Sequence, residues 1–474
     1  MTSLLARARR RPSGPPADRF DRRLITPMIL GSILNPINSS MIAVALIPIG
    51  AALGAPASET AWLVSGLYLA TAVGQPVVGR LIDVYGPRLL FLVGSALIGV
   101  GGVVGALAPS VGVLVVARVL LGLGTCAGYP AAMYLIRAEG DRTGHDSPAA
   151  ILTTLSVATQ TVAVIGPSLG GLLIGLGGWR ATFTVNIPLA LACLVLGAIR
   201  LPRAGRRRSA PDAHPQRSLA ATVDLTGIGL FTGTLVTLLL FLLHPSVATW
   251  WLPVVAVALG AGLVWWELRT PTPVIDLRLL AGNLPLLGTY CRSLLAAITS
   301  YALLYGYTQW LEEGRGLSPS VAGLLLLPIF ATGIGVSALT GRRPEIRGKL
   351  LVGAGVQVVV GGLLLTLHPS SAIWLIVTVA LVAGLPQGLN NLANQNAVYH
   401  QAEPERIGAS AGLLRTFFYL GAIIASTANG VFLTPIADTR GLHHLAAFML
   451  GAAVLLLGLT VADRSLRHVV PTAS

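Results

Sequence analysis

Two arginines and a run of amides stand where this chain can least easily solvate them. Arg118 and Arg415 lie inside long apolar runs, and a guanidinium at membrane depth needs a cavity, a partner or the interface. At about 3.6 residues per turn, Arg415, Tyr419, Ala422, Ser426 and Asn429 share one helical face, a polar stripe able to line a cavity. Just after Pro386 come Gln387, Asn390, Asn391, Asn394, Gln395 and Asn396. Asn35, Asn38, Ser39 and Ser40 surround Pro36. Thr153, Ser156, Gln160 and Ala163 keep a three-four spacing, and Tyr301, Tyr305, Gln309 and Glu312 repeat it with aromatics. Groups of this kind bind by hydrogen bonds and charge. They form no nucleophile–base pair, no metal-ligand spacing and no phosphate-binding loop. Each also has a structural reading. The amides serve equally as glue between helices, Arg415 grips either an anionic ligand group or backbone carbonyls, and Arg118 faces either a cavity or the outer interface.

The elements that must position these residues are helices in a bilayer. Of 474 residues, 54% are hydrophobic and 11% charged, less than half the roughly 25% of a soluble domain. Fourteen apolar runs can be marked out, each near the length of about 20 residues that spans hydrocarbon. They leave no room for a soluble catalytic domain, which argues against an enzyme. The runs divide into a six-helix group over 24–200, an Arg-rich linker over 201–221, two further helices over 222–268 and a second six-helix group over 286–463. Basic tails flank them at 1–23 and 464–474. The net charge of +14 would fit a nucleic-acid partner, but its placement does not. With the N-terminus inside, the outer loops hold only Arg180, Arg315 and Arg440, as the positive-inside rule requires. Both termini are therefore expected in the cytoplasm, and the long first run lacks a signal-peptide cleavage site. All eight tryptophans fall near run ends, as in an aromatic belt. Cys126, Cys193 and Cys291 suggest packing residues and no disulfide framework.

Between the second and third runs stands Gly79-Arg80-Leu81-Ile82-Asp83-Val84-Tyr85-Gly86-Pro87-Arg88. The segment resembles the loop signature G-x-L-x-D-x-x-G-R-[RK] of the major facilitator superfamily, with Pro87 in place of the first cation. Its physical use is a latch: Gly79 allows close helix contact, and Asp83 meets a helix N-terminus and a cation. In the fifth run, Gly166-Pro167-Ser168-Leu169-Gly170-Gly171 looks like the core of the family's antiporter motif, associated with exporters. Pro167 removes a backbone donor, and the glycines give a smooth, bendable face. Trp179-Arg180-Ala181-Thr182-Phe183-Thr184-Val185-Asn186-Ile187-Pro188 is similar to the W-R-x-x-F-x-x-N-x-P of drug exporters. Arg118-Val119-Leu120-Leu121-Gly122 resembles the R-x-x-x-G motif. With Glu267-Leu268-Arg269, Pro273 to Arg278 and Gly316-Leu317-Ser318-Pro319, these point to the fourteen-span drug:proton antiporter branch.

The resemblance implies an all-α membrane protein of two six-helix bundles plus two extra helices, rocking about a midplane site. It implies a monomeric plasma-membrane exporter of amphiphilic compounds, with small molecules, the bilayer and protons as partners and no cofactor. The expected substrate contacts are Asn35, Asn38, Arg118, Gln160, Tyr301, Tyr305, Gln309, Gln387, Asn391, Asn394, Arg415 and Tyr419. The branch usually carries an acid in its first span, where this chain has Ile37-Asn38-Ser39-Ser40. None of the 18 acids lies near a span centre. Glu312 is the nearest candidate for proton coupling, with an exposed rim carboxylate as its alternative. A carrier without proton coupling, a lipid or anionic-metabolite transporter and a non-transporting binding protein remain as rival expectations.

Overall fold

Hydrocarbon offers no partner to backbone N–H and C=O groups, so a chain this apolar satisfies them within helices. The computed structural model describes residues 20–143, 149–203, 224–243, 246–271, 273, 275, 277–341, 343, 345–433 and 436–467. The basic tail up to residue 19, most of the linker and the last seven residues lie outside the described residues. Among the described residues all regular structure is helical. In chain order the long helices are α1 (Ile25–Leu53), α2 (Trp62–Tyr85), α3 (Pro87–Ala106), α4 (Val111–Thr143), α5 (Ala149–Gly177) and α6 (Ala181–Arg200). Next come α7 (Leu225–Leu243) and α8 (Trp251–Glu267). Last are α9 (Leu284–Gln309), α10 (Pro319–Thr340), α11 (Ile346–Leu364), α12 (Ile373–Gln401), α13 (Ile407–Phe432) and α14 (Thr439–Ala462).

Thirteen described helices are long and apolar enough to cross a membrane, against the fourteen expected. The difference is α9, whose 26 residues suffice in length but include Arg292, Ser293, Thr299 and four tyrosines. Much of that polarity is turned inward: Tyr290, Arg292, Ser293, Thr299 and Tyr307 are buried. Outward-facing positions elsewhere carry Ile47, Leu176, Ile199, Val257 and Leu339, all strongly exposed and aliphatic, as a lipid-facing surface requires. Of the tryptophans, Trp250, Trp251, Trp265 and Trp374 are exposed. Trp179 and Trp310 are buried, so these two pack inside the protein and do not belong to an interfacial belt.

The packing repeats along the chain. α1 lies against α5, α2 against α4, and α3 against α4 and α6. In the second half α9 lies against α13, α10 against α12, and α11 against α12 and α14. Each bundle repeats the pairings of the other six helices, the pattern of a parallel internal repeat. α7 and α8 pack mainly on each other, with α7 touching α2 and α13 at the periphery. The bundles meet along two seams, α13 with α2 and α4, and α5 with α10.

Small residues let the backbones approach. A Cβ on Gly79 would stand 2.3 Å from the Gly408 carbonyl oxygen across the first seam, and one on Gly412 would stand 2.3 Å from the Gln75 carbonyl. Gly166 and Gly170 of α5 face Ser40 and Met41 of α1 in the same way, whereas Gly171 faces open space. The smooth face expected of that motif therefore consists of two of its glycines. Pro167 sits inside α5 without ending it.

Candidate functional site

The inward faces of both bundles form a chamber of two lobes, of about 80 and 130 Å³, that share lining residues. Gln160 of α5, Tyr301 of α9, Gln387 and Asn391 of α12, and Arg415 and Phe418 of α13 line both lobes. One lobe adds Asn390 and Asn394; the other adds Asn35, Ser39, Tyr68, Phe330 and Tyr419. Pro36 and Pro386 also line it, inside α1 and α12. Of the expected contacts, the structure thus brings together Asn35, Gln160, Tyr301, Gln387, Asn391, Asn394, Arg415 and Tyr419.

It places the others apart. Asn38 is buried, donating to the Leu34 carbonyl and to Asn186 Oδ1 at 2.7 Å; the Asn of the W-R-x-x-F-x-x-N-x-P segment holds it in place. Arg118 is also buried and is not among the lining residues. Its Nε donates to the Leu63 carbonyl at 2.7 Å and its Nη1 to the Asn38 carbonyl at 3.0 Å, so it ties α4 to α2 and α1. Tyr305 leans its ring on Tyr301 at 5.7 Å but is 40% exposed. Gln309 is exposed at the end of α9. Glu312 lies beyond α9 in a π-helical turn, Trp310–Gly314. Its neighbour Glu313 accepts the Ala437 N–H at 2.7 Å. The stripe expected along α13 divides likewise: Arg415 and Tyr419 reach the chamber, Ser426 faces outward and Asn429 is buried away from it.

The amides of α12 also split by role. Asn390 donates to Gln357, which donates to Thr299 at 2.5 Å, and Asn396 donates to the Leu392 carbonyl. These bond within the second bundle, although Asn390 also borders the chamber. Asn391 accepts from Gln395 at 2.9 Å, which leaves its own N–H groups for the chamber.

Arg415 is the one charged side chain among the described lining residues. Its guanidinium rests over the Tyr129 ring at 4.3 Å and lies 5.9 Å from the Phe418 centroid. Sequence reasoning missed Tyr129, Tyr68, Phe330 and Phe418. Tyr129 is the second residue after the two-residue break in α4 at Cys126 and Ala127. A lone aromatic in an apolar run carries no signal that distinguishes lining from packing.

Most direct hydrogen bonds between the bundles lie between the chamber and the end of the protein where the first and last described residues lie, while Tyr68 and Tyr305 hydrogen-bond across the bundles on the other side. The Tyr419 hydroxyl donates to Asn35 Oδ1 at 2.8 Å, and Gln160 Nε2 donates to Ser337 at 3.0 Å. Next, Thr416 donates to the Ala72 carbonyl at 2.7 Å. At the end itself the Asp83 carboxylate accepts the Gly408 and Ala409 N–H groups, both at 2.9 Å. These are free donors at the N-terminus of α13, where a negative charge is favoured. Arg137 of α4 stacks on Tyr399 of α12 at 5.3 Å. The chamber is therefore closed toward this terminal end. Gly86 turns the chain with φ +86°, and Arg88 donates to the Ala198 carbonyl, a contact within the first bundle and not across the seam.

Comparison with known proteins places the geometry. Residues 28–426 match the family model described as Major Facilitator Superfamily. The chain is 32% identical over 426 residues to the uncharacterized MFS-type transporter YwoD of Bacillus subtilis, covering 86% of this chain and 89% of that protein. It is 28% identical over 413 residues to the tetracenomycin C resistance and export protein of Streptomyces glaucescens, covering 85% and 74%. A crystal structure of the human organic anion transporter MFSD10 superposes with a TM-score of 0.65 at 16% identity, covering 94% of this chain and 100% of that one; this likeness concerns the fold alone.

Proposed function

We propose, from the premise that this chain belongs to the major facilitator superfamily, that it is a secondary transporter exporting small amphiphilic, drug-like compounds across the plasma membrane by alternating access. The observation that carries the reading is the chamber between two repeated bundles, with a wall part amide and part aromatic, joined to a set of contacts that shut it at one end. A wall of that kind suits molecules with an apolar body and a polar head. Export is supported by the Gly166-Pro167 segment of α5 and by the resistance and export protein among the relatives.

The positive-inside rule makes the terminal end cytoplasmic. The conformation then has its inward gate shut. In this reading Asp83, with Gly79 beside it, latches the inward gate, Gly86 and Arg88 fix the loop, and Pro167 with Gly166, Gly170 and Gly171 lets α5 bend. Arg118 and Asn38 act indirectly, by holding α1, α2 and α4 in register. The protein works as a monomer.

Proton antiport is the family's usual drive, with Glu312 as the candidate titrating group. The absence of an acid among the described lining residues supports a second reading, a carrier without proton coupling. Reconstituted vesicles test both. Accumulation that rises with an imposed pH gradient and is lost in Arg415→Ala is the expected result for an antiporter that uses this chamber. Accumulation indifferent to the gradient leaves the uncoupled carrier. No accumulation of any amphiphile by correctly inserted protein would overturn the export reading.

A further inference from the structure

We propose that the chamber selects amphiphiles that carry an anionic group, bound by Arg415. This rests on the reading of the chamber as a transport site and adds the class of its substrate. Three buried or half-buried arginines of the bundles can be compared. Arg118 gives two donors to backbone carbonyls. Arg292 pairs with Asp463 Oδ2 at 2.7 Å and with Thr289. Arg415 makes no hydrogen bond or ion pair with any described residue; its partners are the rings of Tyr129 and Phe418. A cation stacked on an aromatic face keeps the donors in its own plane free, in the fork geometry that matches a carboxylate or sulfonate.

The surroundings reinforce the choice. No acid is among the described residues lining either lobe, so the charge has no internal counterion and an anion entering the chamber would neutralise it. Asn391, whose oxygen is engaged by Gln395, adds amide donors on the same wall. Asn35 is already used: its nitrogen donates to Thr71 and Thr125 and its oxygen accepts from Tyr419. Tyr301 and Phe418, edge to face at 5.6 Å, offer surface for an apolar or aromatic body next to the charge. An organic cation of equal size meets the same apolar wall but a like charge, which works against it.

The test uses purified, full-length protein in uncharged detergent, with naphthalene-1-sulfonate and 1-naphthylmethylammonium as probes of equal bulk and opposite charge. Calorimetric titration should show the sulfonate binding at least tenfold tighter than the ammonium. Arg415→Gln should lower sulfonate affinity at least tenfold without changing the elution profile or the thermal midpoint, and Arg415→Lys should restore part of it. Equal binding of the two probes, tighter binding of the ammonium, or sulfonate binding unmoved by Arg415→Gln would overturn the inference. Should that variant not fold, the two probes on the unaltered protein decide the matter. Vesicle flux separates this from the export reading: transport of the ammonium with the sulfonate inert leaves a carrier and removes the anion preference. Flux of neither by inserted protein counts against both.

Discussion

Arg118 and Arg415 begin from the same sequence description, a lone cation within an apolar span, and end in opposite surroundings. Arg118 is enclosed by α1, α2 and α4, with two carbonyls as partners. Arg415 borders a cavity, leans on an aromatic ring and leaves its hydrogen-bonding plane open. The difference teaches that the cost of a charge at membrane depth can be met in two ways. The protein can supply the partners itself, which makes the residue a strut, or it can leave a cavity beside the residue, which keeps its donors open. Helix α4 takes part in both, since it carries Arg118 and also the Tyr129 on which Arg415 rests.

The largest effect that would sharpen this contrast is expected at the strut. Arg118→Met removes two charge-assisted hydrogen bonds that tie α4 to α1 and α2, a loss of about 3 kcal/mol. A thermal-shift assay should show a clear fall in midpoint and yield, while flux per folded molecule stays near normal. Unchanged stability with lost flux would reverse the roles assigned to the two arginines. A second effect concerns drive. If Arg415 escorts a monoanion and no proton is exchanged, its movement is worth about 2.3 kcal/mol per elementary charge per 100 mV. Flux in potassium-loaded vesicles with valinomycin should then follow the sign of the imposed potential, and indifference to potential would break the link between Arg415 and an anion carried alone.

Smaller effects bear on the seam that closes the chamber. Asp83→Asn exchanges a full carboxylate for an amide at the N-terminus of α13, weakening two hydrogen bonds and the charge–dipole attraction by about 1–2 kcal/mol. The bundles should open more often at the terminal end, seen as faster thiol labelling of a cysteine placed at Ala409; slower labelling would contradict the latch. The smallest expected effect is at Arg292, the third arginine. Burial raises the carboxyl pKa of its partner Asp463, but the Ser465 hydrogen bonds and the Arg292 contact outweigh that and hold it below the ordinary value. A depressed carboxylate stabilises the fold above its unfolded pKa, near 3.9, and that contribution fades as pH falls through the folded-state value. Acid unfolding should therefore begin at higher pH in Asp463→Asn than in the unaltered protein, and coincident acid transitions would show that the pair adds nothing.

The fold was legible because bilayer physics leaves few choices. Runs of apolar residues become helices that satisfy their own backbone groups. The exception, α9, is instructive: its polar side chains lower its hydropathy, and among them Thr299 meets Gln357, Arg292 meets Asp463, and Ser293, Ser300 and Tyr301 line the chamber. The candidate site was legible in part. Helical spacing picked out Arg415 with Tyr419, and Gln387 with Asn391 and Asn394, because residues three or four apart share a face whatever that face meets. It carried too far along the same stripes, to Gln309, Glu312 and Ser426, where the helices run past the chamber. Spacing alone also could not show that Asn390, beside Asn391 on the same broad face, is bonded to Gln357.

What the sequence determined alone was helix content, the likeness to a transporter family and the short stock of polar groups set within the apolar spans. Those follow from local composition and periodicity, which act along one chain segment at a time. Which arginine is enclosed and which stays open, which amide bonds its neighbour and which faces the chamber, and where the two bundles touch depend on helices hundreds of residues apart. Tyr419 meets Asn35, and Asp83 meets Gly408, only because packing rotates each helix by a set angle about its axis, and a near-uniform apolar run does not encode that angle by itself.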